Sequence, residues 1–162
     1  MLKIVLLVFG LLQFPNVFSQ GLEKYEAKLI VTFINNIEWE NSESISIGVL
    51  GNSKILTALS NHMKEKKLKH TVNKINFLEE STKYEMVVLP AGSPANIPDL
   101  LEIIGEKKIL VLAEEKKLSN QELDICFVEE EGKLRFVINE TNAKRKGIVM
   151  SNKLLDYASE IR

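Results

Sequence analysis

Cysteine is all but missing from this chain: Cys126 is the only one, so no disulfide can form within the molecule. Its expected place is the inside of a strand, packed as a small hydrophobe, with a disulfide-linked dimer as the alternative. Charge of one sign is equally scarce. Against 21 Lys and Arg stand 22 Asp and Glu, a net charge of −1, and that balance offers no basic surface for nucleic acid. The two histidines, His62 and His70, fall in a lysine-rich stretch with no acid or thiol partner close by in sequence, so no acid-base pair is visible. The lysines around them are those expected near a helix C-terminus, where cations complement the dipole. G-x-S-x-G, H-E-x-x-H and C-x-x-C are absent, which removes the local signatures of serine hydrolysis, zinc proteolysis and dithiol exchange. Around the first strand, Gly48 and Gly51 spell neither a dinucleotide fingerprint nor a phosphate loop. No cofactor, metal or catalytic residue is expected.

Long apolar runs are also few. Ile4 to Leu12 follows Lys3 and precedes Val17-Phe18-Ser19, the pattern of a secretory leader over residues 1–19, too short to span a bilayer. A buried first strand is the competing reading, but neither turn chemistry nor alternation supports it. The expected product is a single exported domain over residues 20–162, with no insertion of the mature chain into the membrane; the periplasm as its compartment is what the family resemblance given below implies.

What is present alternates between strand and helix signals. Gly21 to Glu38 reads as a helix whose apolar residues, among them Tyr25, Leu29, Ile30 and Phe33, cover a far wider arc than one core requires. Either its own domain covers both sides, or the surplus meets a second protein chain. Ile45–Leu50, Lys69–Asn76, Tyr84–Leu89 and Lys108–Ala113 read as strands, with helices over Lys54–Lys66 and from Asn96 to about Glu106. The unbroken apolar runs YEMVVL and KILVLA suit the inside of a parallel sheet. Ile125 begins a closing hairpin turned at Glu131-Gly132, and a short helix over Asn142–Lys146 stops at Gly147. Ser151 caps a last helix with Leu154, Leu155, Ala158 and Ile161 on its apolar face. The fold class is therefore α/β: one domain, a mainly parallel sheet with an antiparallel C-terminal hairpin, and helices on both faces.

The order of these words resembles the YfiR-like family of small exported bacterial proteins. The hairpin and tail FVEEEGKLRFVINETNAKRKGIVMSNKLL carry the resemblance, joined by KYEAKLIVTFINNIEWE, ISIGVLGNS, YEMVVLP and KKILVLAE, from Lys24 to Ala158. The resemblance implies a Rossmann-like layout, dimerisation, and repression of a membrane diguanylate cyclase through its exported sensing domain, with effects on cyclic-di-GMP and biofilm growth. This chain departs from the pattern at Cys126, where relatives often carry asparagine, and at Val137, where they carry an acid. The cysteines that cross-link some relatives have no counterparts here.

Two binding surfaces follow as expectations. A partner, the exported domain of an inner-membrane sensor or cyclase, is expected at Phe33, Ile37 and Trp39, with Arg135 and Asn139 as polar contacts on the hairpin. A small-molecule pocket is the alternative, lined by Ala91, Ser93 and Asn96 in the breaker-rich loop Pro90 to Pro98, at the carboxyl end of a central strand.

Overall fold

Short apolar runs separated by helical periods should stack as parallel strands with crossovers on both faces, and they do. The computed structural model describes residues 19–40, 43–93, 97–115 and 122–162. The leader expected over residues 1–19 lies outside the described residues apart from Ser19, and so does Asn96.

The elements in chain order are α1 (Ser19–Ile34), β1 (Ser46–Leu50), α2 (Lys54–Glu65), β2 (Thr71–Ile75), a 3-10 segment (Leu78–Lys83), β3 (Met86–Leu89), α3 (Ile97–Ile104), β4 (Leu110–Ala113), β5 (Ile125–Glu130), β6 (Lys133–Ile138), α4 (Glu140–Arg145), α5 (Asn152–Tyr157) and β7 (Glu160–Ile161). Among the described residues the sheet has seven strands in the order β2-β1-β3-β4-β5-β6-β7. Only β5 and β6 run antiparallel. Their two-residue turn places Glu131 at φ 52° and Gly132 at φ 71°, the doubly positive geometry that matches strand twist.

The period of two divides the strand residues between two cores. Ile47, Val49, Met86, Val88, Leu110, Leu112, Ile125 and Phe127 face α1 and α2. Val87, Leu89, Val111, Ala113 and Cys126 face α3 and the 3-10 segment. β3 and β4 are buried along their whole length, which explains their continuous apolar spelling.

The first and last helices end earlier than expected, each because a tertiary pairing outcompetes helix propensity. α1 ends at Ile34, since Ile37 forms an antiparallel bridge with Met150 and Ser151 donates from its amide to the Asn36 carbonyl at 2.9 Å. Ile161 is not on the face of the last helix. α5 stops at Tyr157, and the chain then adds β7 beside β6. The link after Asn76 is a helical turn, with Glu80 Oε2 accepting from the Asn76 and Phe77 amides.

At the opposite end of β4 and β5 from the hairpin turn lies a buried polar knot. Asp124 is fully buried and Lys146 is 5% exposed. Asp124 Oδ2 accepts from Lys146 Nζ and, at 2.7 Å, from the Val111 amide; its Oδ1 accepts from Asn142 Nδ2 at 2.8 Å. Lys146 also donates to the Ile109 carbonyl at 2.6 Å. Burial raises the carboxyl pKa and lowers that of the ammonium, and the mutual attraction opposes both shifts. Removing one partner strands the other charge. Asp124→Ala is expected to destabilise the fold by about 3–5 kcal/mol in a denaturant titration, whereas the double change Asp124→Leu with Lys146→Met recovers much of that loss.

Candidate functional site

The wide apolar arc of α1 is mostly consumed within the domain. Ala27, Ile30, Phe33 and Ile34 are buried against the sheet, while Val31 is half-buried in the same core. The Phe33 ring lies between those of Phe127 and Phe136, with centroids at 5.8 and 4.9 Å. Phe33 is thus a core residue and not a surface contact, and Ile37, 7% exposed, is another. Trp39 is half-buried, its indole donating to the Ile34 carbonyl at 2.8 Å to close the helix end. The large apolar side chains left exposed on α1 lie in its first turns: Leu22 is 48% and Tyr25 50% exposed.

Those two residues form one wall of a groove of about 1060 Å³. Phe127 and Val128 of β5, with Leu134 of β6, supply an apolar floor, and Glu129, Lys133 and Arg135 carry charge along it. Arg135 is therefore exposed in a place where something could bind. Asn139 is not: its side chain accepts from the Asn142 amide at 2.9 Å and caps α4.

Glu26 and Glu114 also line this groove. Glu26 is 5% exposed on α1; Glu114 follows the end of β4. Glu114 Oε2 accepts a hydrogen bond from the Ala91 amide at 3.0 Å. Desolvation, then the hydrogen bond to Glu114, then the negative charges of Glu114 and Glu23 push the Glu26 pKa up to about 8. Burial also raises that of Glu114, although the bonds from Glu26 and Ala91 oppose the rise.

Ala91 and Ser93, expected at a ligand pocket, make backbone contacts beside this arrangement. Ala91 contributes its amide to Glu114, the Ser93 amide closes a turn on the Pro90 carbonyl at 3.0 Å, and neither residue lines the groove. Sequence reasoning passed over Glu26 and Glu114. A signal existed: Glu26, Ile30 and Phe33 share one helical stripe, so Glu26 is an acid set into the core-facing side.

The other candidates take structural roles. Cys126 is buried, donates from Sγ to the Glu115 carbonyl at 2.9 Å, and has its pKa pushed up to about 11, chiefly by burial. A neutral buried thiol is a poor nucleophile. His70 Nδ1 accepts from the Ile45 amide at 3.1 Å, and burial lowers its pKa. A Cβ on Gly48 would collide with Ile75 and lie 2.6 Å from Tyr84 Cδ2, so this glycine permits packing, not phosphate approach. Among the described residues no three His, Cys, Asp or Glu side chains converge as a metal site.

A family model described as YfiR/HmsC-like matches residues 23–159 of the chain. The chain belongs to the YfiR/HmsC-like family. No curated protein matches it. Among solved structures, a conserved domain protein from Vibrio cholerae O1 biovar El Tor superposes with a TM-score of 0.64 at 15% identity, over 86% of this chain and 60% of that one. A domain from Streptococcus pneumonia, described as the ABC domain in complex with L-Trp, gives 0.63 at 13% identity, again over 86% and 60%. Both likenesses concern the fold, and this chain spans 60% of the length of each. Membership in the YfiR/HmsC-like family supports a regulatory role over a catalytic one.

A pH dependence follows from Glu26. The unfolded chain releases this proton near pH 4.5, whereas the folded one holds it to about 8. The associated stability is complete below pH 4.5 and is lost as pH rises through 8. The expected melting temperature therefore falls from pH 5 to pH 8.5, and Glu26→Gln flattens the profile. Gly48→Ala tests the packing reading of that glycine, with an expected loss of about 1–3 kcal/mol in unfolding free energy.

Proposed function

We propose that this protein is an exported, non-enzymatic regulator that binds and represses the extracytoplasmic domain of a membrane signalling protein, a diguanylate cyclase or a similar receptor. Through that receptor it controls cyclic-di-GMP and biofilm formation. The family match over residues 23–159 carries this reading. In keeping with it, no helix among the described residues is long and apolar enough to cross a membrane. Residues 1–19 act as the export leader, residues 20–162 form the working domain, and the working compartment is the periplasm.

The contact surface is the exposed start of α1 together with the hairpin. Leu22 and Tyr25 offer apolar area, and Arg135 offers a charged anchor beside them. Arg and Tyr at the centre of such a patch carry a disproportionate share of binding energy. Phe33, Ile37 and Trp39 act one layer deeper, by holding α1 in place. A second copy of the chain is a further candidate for the same surface.

The groove itself favours a second reading, a small-molecule module, because its volume suits a compact apolar ligand. That reading expects a ligand-dependent rise in melting temperature with no receptor present.

Capture from cross-linked membranes of the native host separates the two. Wild-type protein is expected to retrieve a membrane cyclase or sensor identified by mass spectrometry, and the double change Tyr25→Asp with Arg135→Glu to weaken capture by at least about tenfold. Deleting the protein is expected to raise cellular cyclic-di-GMP. Retrieval of no such receptor, or equal retrieval by the double variant, counts against the proposal.

A further inference from the structure

β2 ends the sheet, and among the described residues no strand lies on its outer side. Two bonds show which of its backbone groups face outward. The Thr71 amide donates to the Ile45 carbonyl at 3.0 Å, and the Ile75 carbonyl accepts from the Gly51 amide at 2.9 Å, both on the β1 side. In a parallel pair the N–H and C=O of one residue point the same way, and successive residues alternate. Thr71, Asn73 and Ile75 therefore serve β1, while Val72 and Lys74 present their N–H and C=O groups to the open edge. Val72 is half-buried and Lys74 exposed. An edge of this kind is a template for one more strand.

The surroundings decide which strand fits. Alternation places the side chains of Val72 and Lys74 on the α2 side of the sheet. There a cleft of about 380 Å³ lies between β2 and the end of α2, with Met63, Leu68 and Val72 as apolar lining and Lys64 and Lys67 as its charges. Among the described residues Lys64, Lys67 and Lys74 make no ion pair, whereas Lys69 lies 3.6 Å from Glu43. Glu65, exposed at the end of α2, does not line the cleft.

A second copy of this edge would bring the same lysines with it, so like charge opposes self-pairing. An anionic lipid surface satisfies lysines but offers no row of donors and acceptors to the Val72 and Lys74 backbone. An extended acidic chain supplies both. Cross-strand pairing then sets an apolar side chain opposite Val72 and a carboxylate opposite Lys74.

We propose that the outer edge of β2 is a strand-addition site for an extended acidic segment of another protein, in which an apolar residue enters the cleft beside Val72 and an acid two residues away meets Lys74. The site is at the opposite edge of the sheet from β6 and β7, so it is separate from the surface formed by α1 and the hairpin and does not depend on it.

A peptide titration followed by amide NMR of the isotope-labelled protein tests the site. The probe is an end-blocked peptide of about nine residues, the reach of one strand, with threonine at every odd position and valine and glutamate in turn at the even ones. A second peptide carries lysine in place of glutamate. The glutamate peptide is expected to shift the Val72 and Lys74 amides with a dissociation constant of about 1 mM or tighter, and the lysine peptide to bind at least about fivefold more weakly. Lys64→Glu with Lys74→Glu, both exposed positions, is expected to invert that order. Val72→Pro removes an outward N–H without breaking a bond to β1 and is expected to weaken the glutamate peptide at least about fivefold. The two peptides on the wild type decide the matter even if a variant folds poorly. Unmoved Val72 and Lys74 amides at about 5 mM glutamate peptide, or equal binding of both peptides, overturns the proposal. So does a dimer that Val72→Pro dissolves, which gives the edge to a second copy. Unmoved amides together with lysine-dependent sedimentation on phosphatidylglycerol vesicles give the surface to a membrane instead.

Discussion

The seating of Phe33 between Phe127 and Phe136 is the contact on which the rest of this molecule turns. It joins the first helix to the last hairpin, two elements separated by almost the whole chain, and so closes one core over the β1 to β6 part of the sheet. Its energy comes from burying a large ring, with the tilted and edge-on geometry adding a smaller aromatic term. Because Phe33 lies in the last turn of α1, the helix start extends beyond the packed rings, where Leu22 and Tyr25 line the groove. The groove is the space beneath that helix start. Position, shape and apolar character of the candidate site thus follow from one packing decision.

The other end of the sheet is fixed by different means. There Asp124, Lys146 and Asn142 tie α4 to the edge of β4 and the start of β5. A buried ion pair of this kind is costly to assemble, and its use is to select a single arrangement: only one placement of α4 satisfies both charges and the Val111 and Ile109 backbone groups. The polar knot thus fixes the end of the sheet opposite the groove.

Most of the fold was legible because its signals are local and redundant. MVVL and LVLA are buried on both faces and read as continuous runs; the hairpin alternates; Gly132 marks its turn; Ser53 and Ser151 cap the helices that follow them. What escaped was non-local. Ile37 and Ile161 have helical neighbours in sequence, yet each leaves the helix to pair with a strand residue that no local pattern announces. The site escaped for the same reason. The width of the apolar arc on α1 pointed to a surface, but Phe33 and Ile37 spend theirs inside, and the exposed remainder is a turn or two earlier. Glu26 gains its meaning only from Glu114, which the chain brings near through the sheet.

The seating of α1 by Phe33 is tested most directly by proton NMR of the protein without any partner. Ring-to-ring nuclear Overhauser contacts between Phe33 and both Phe127 and Phe136 are the expected result. A Phe33 ring that shows neither contact and exchanges with solvent would contradict the account at its root, because the groove would then lose the helix that forms its wall.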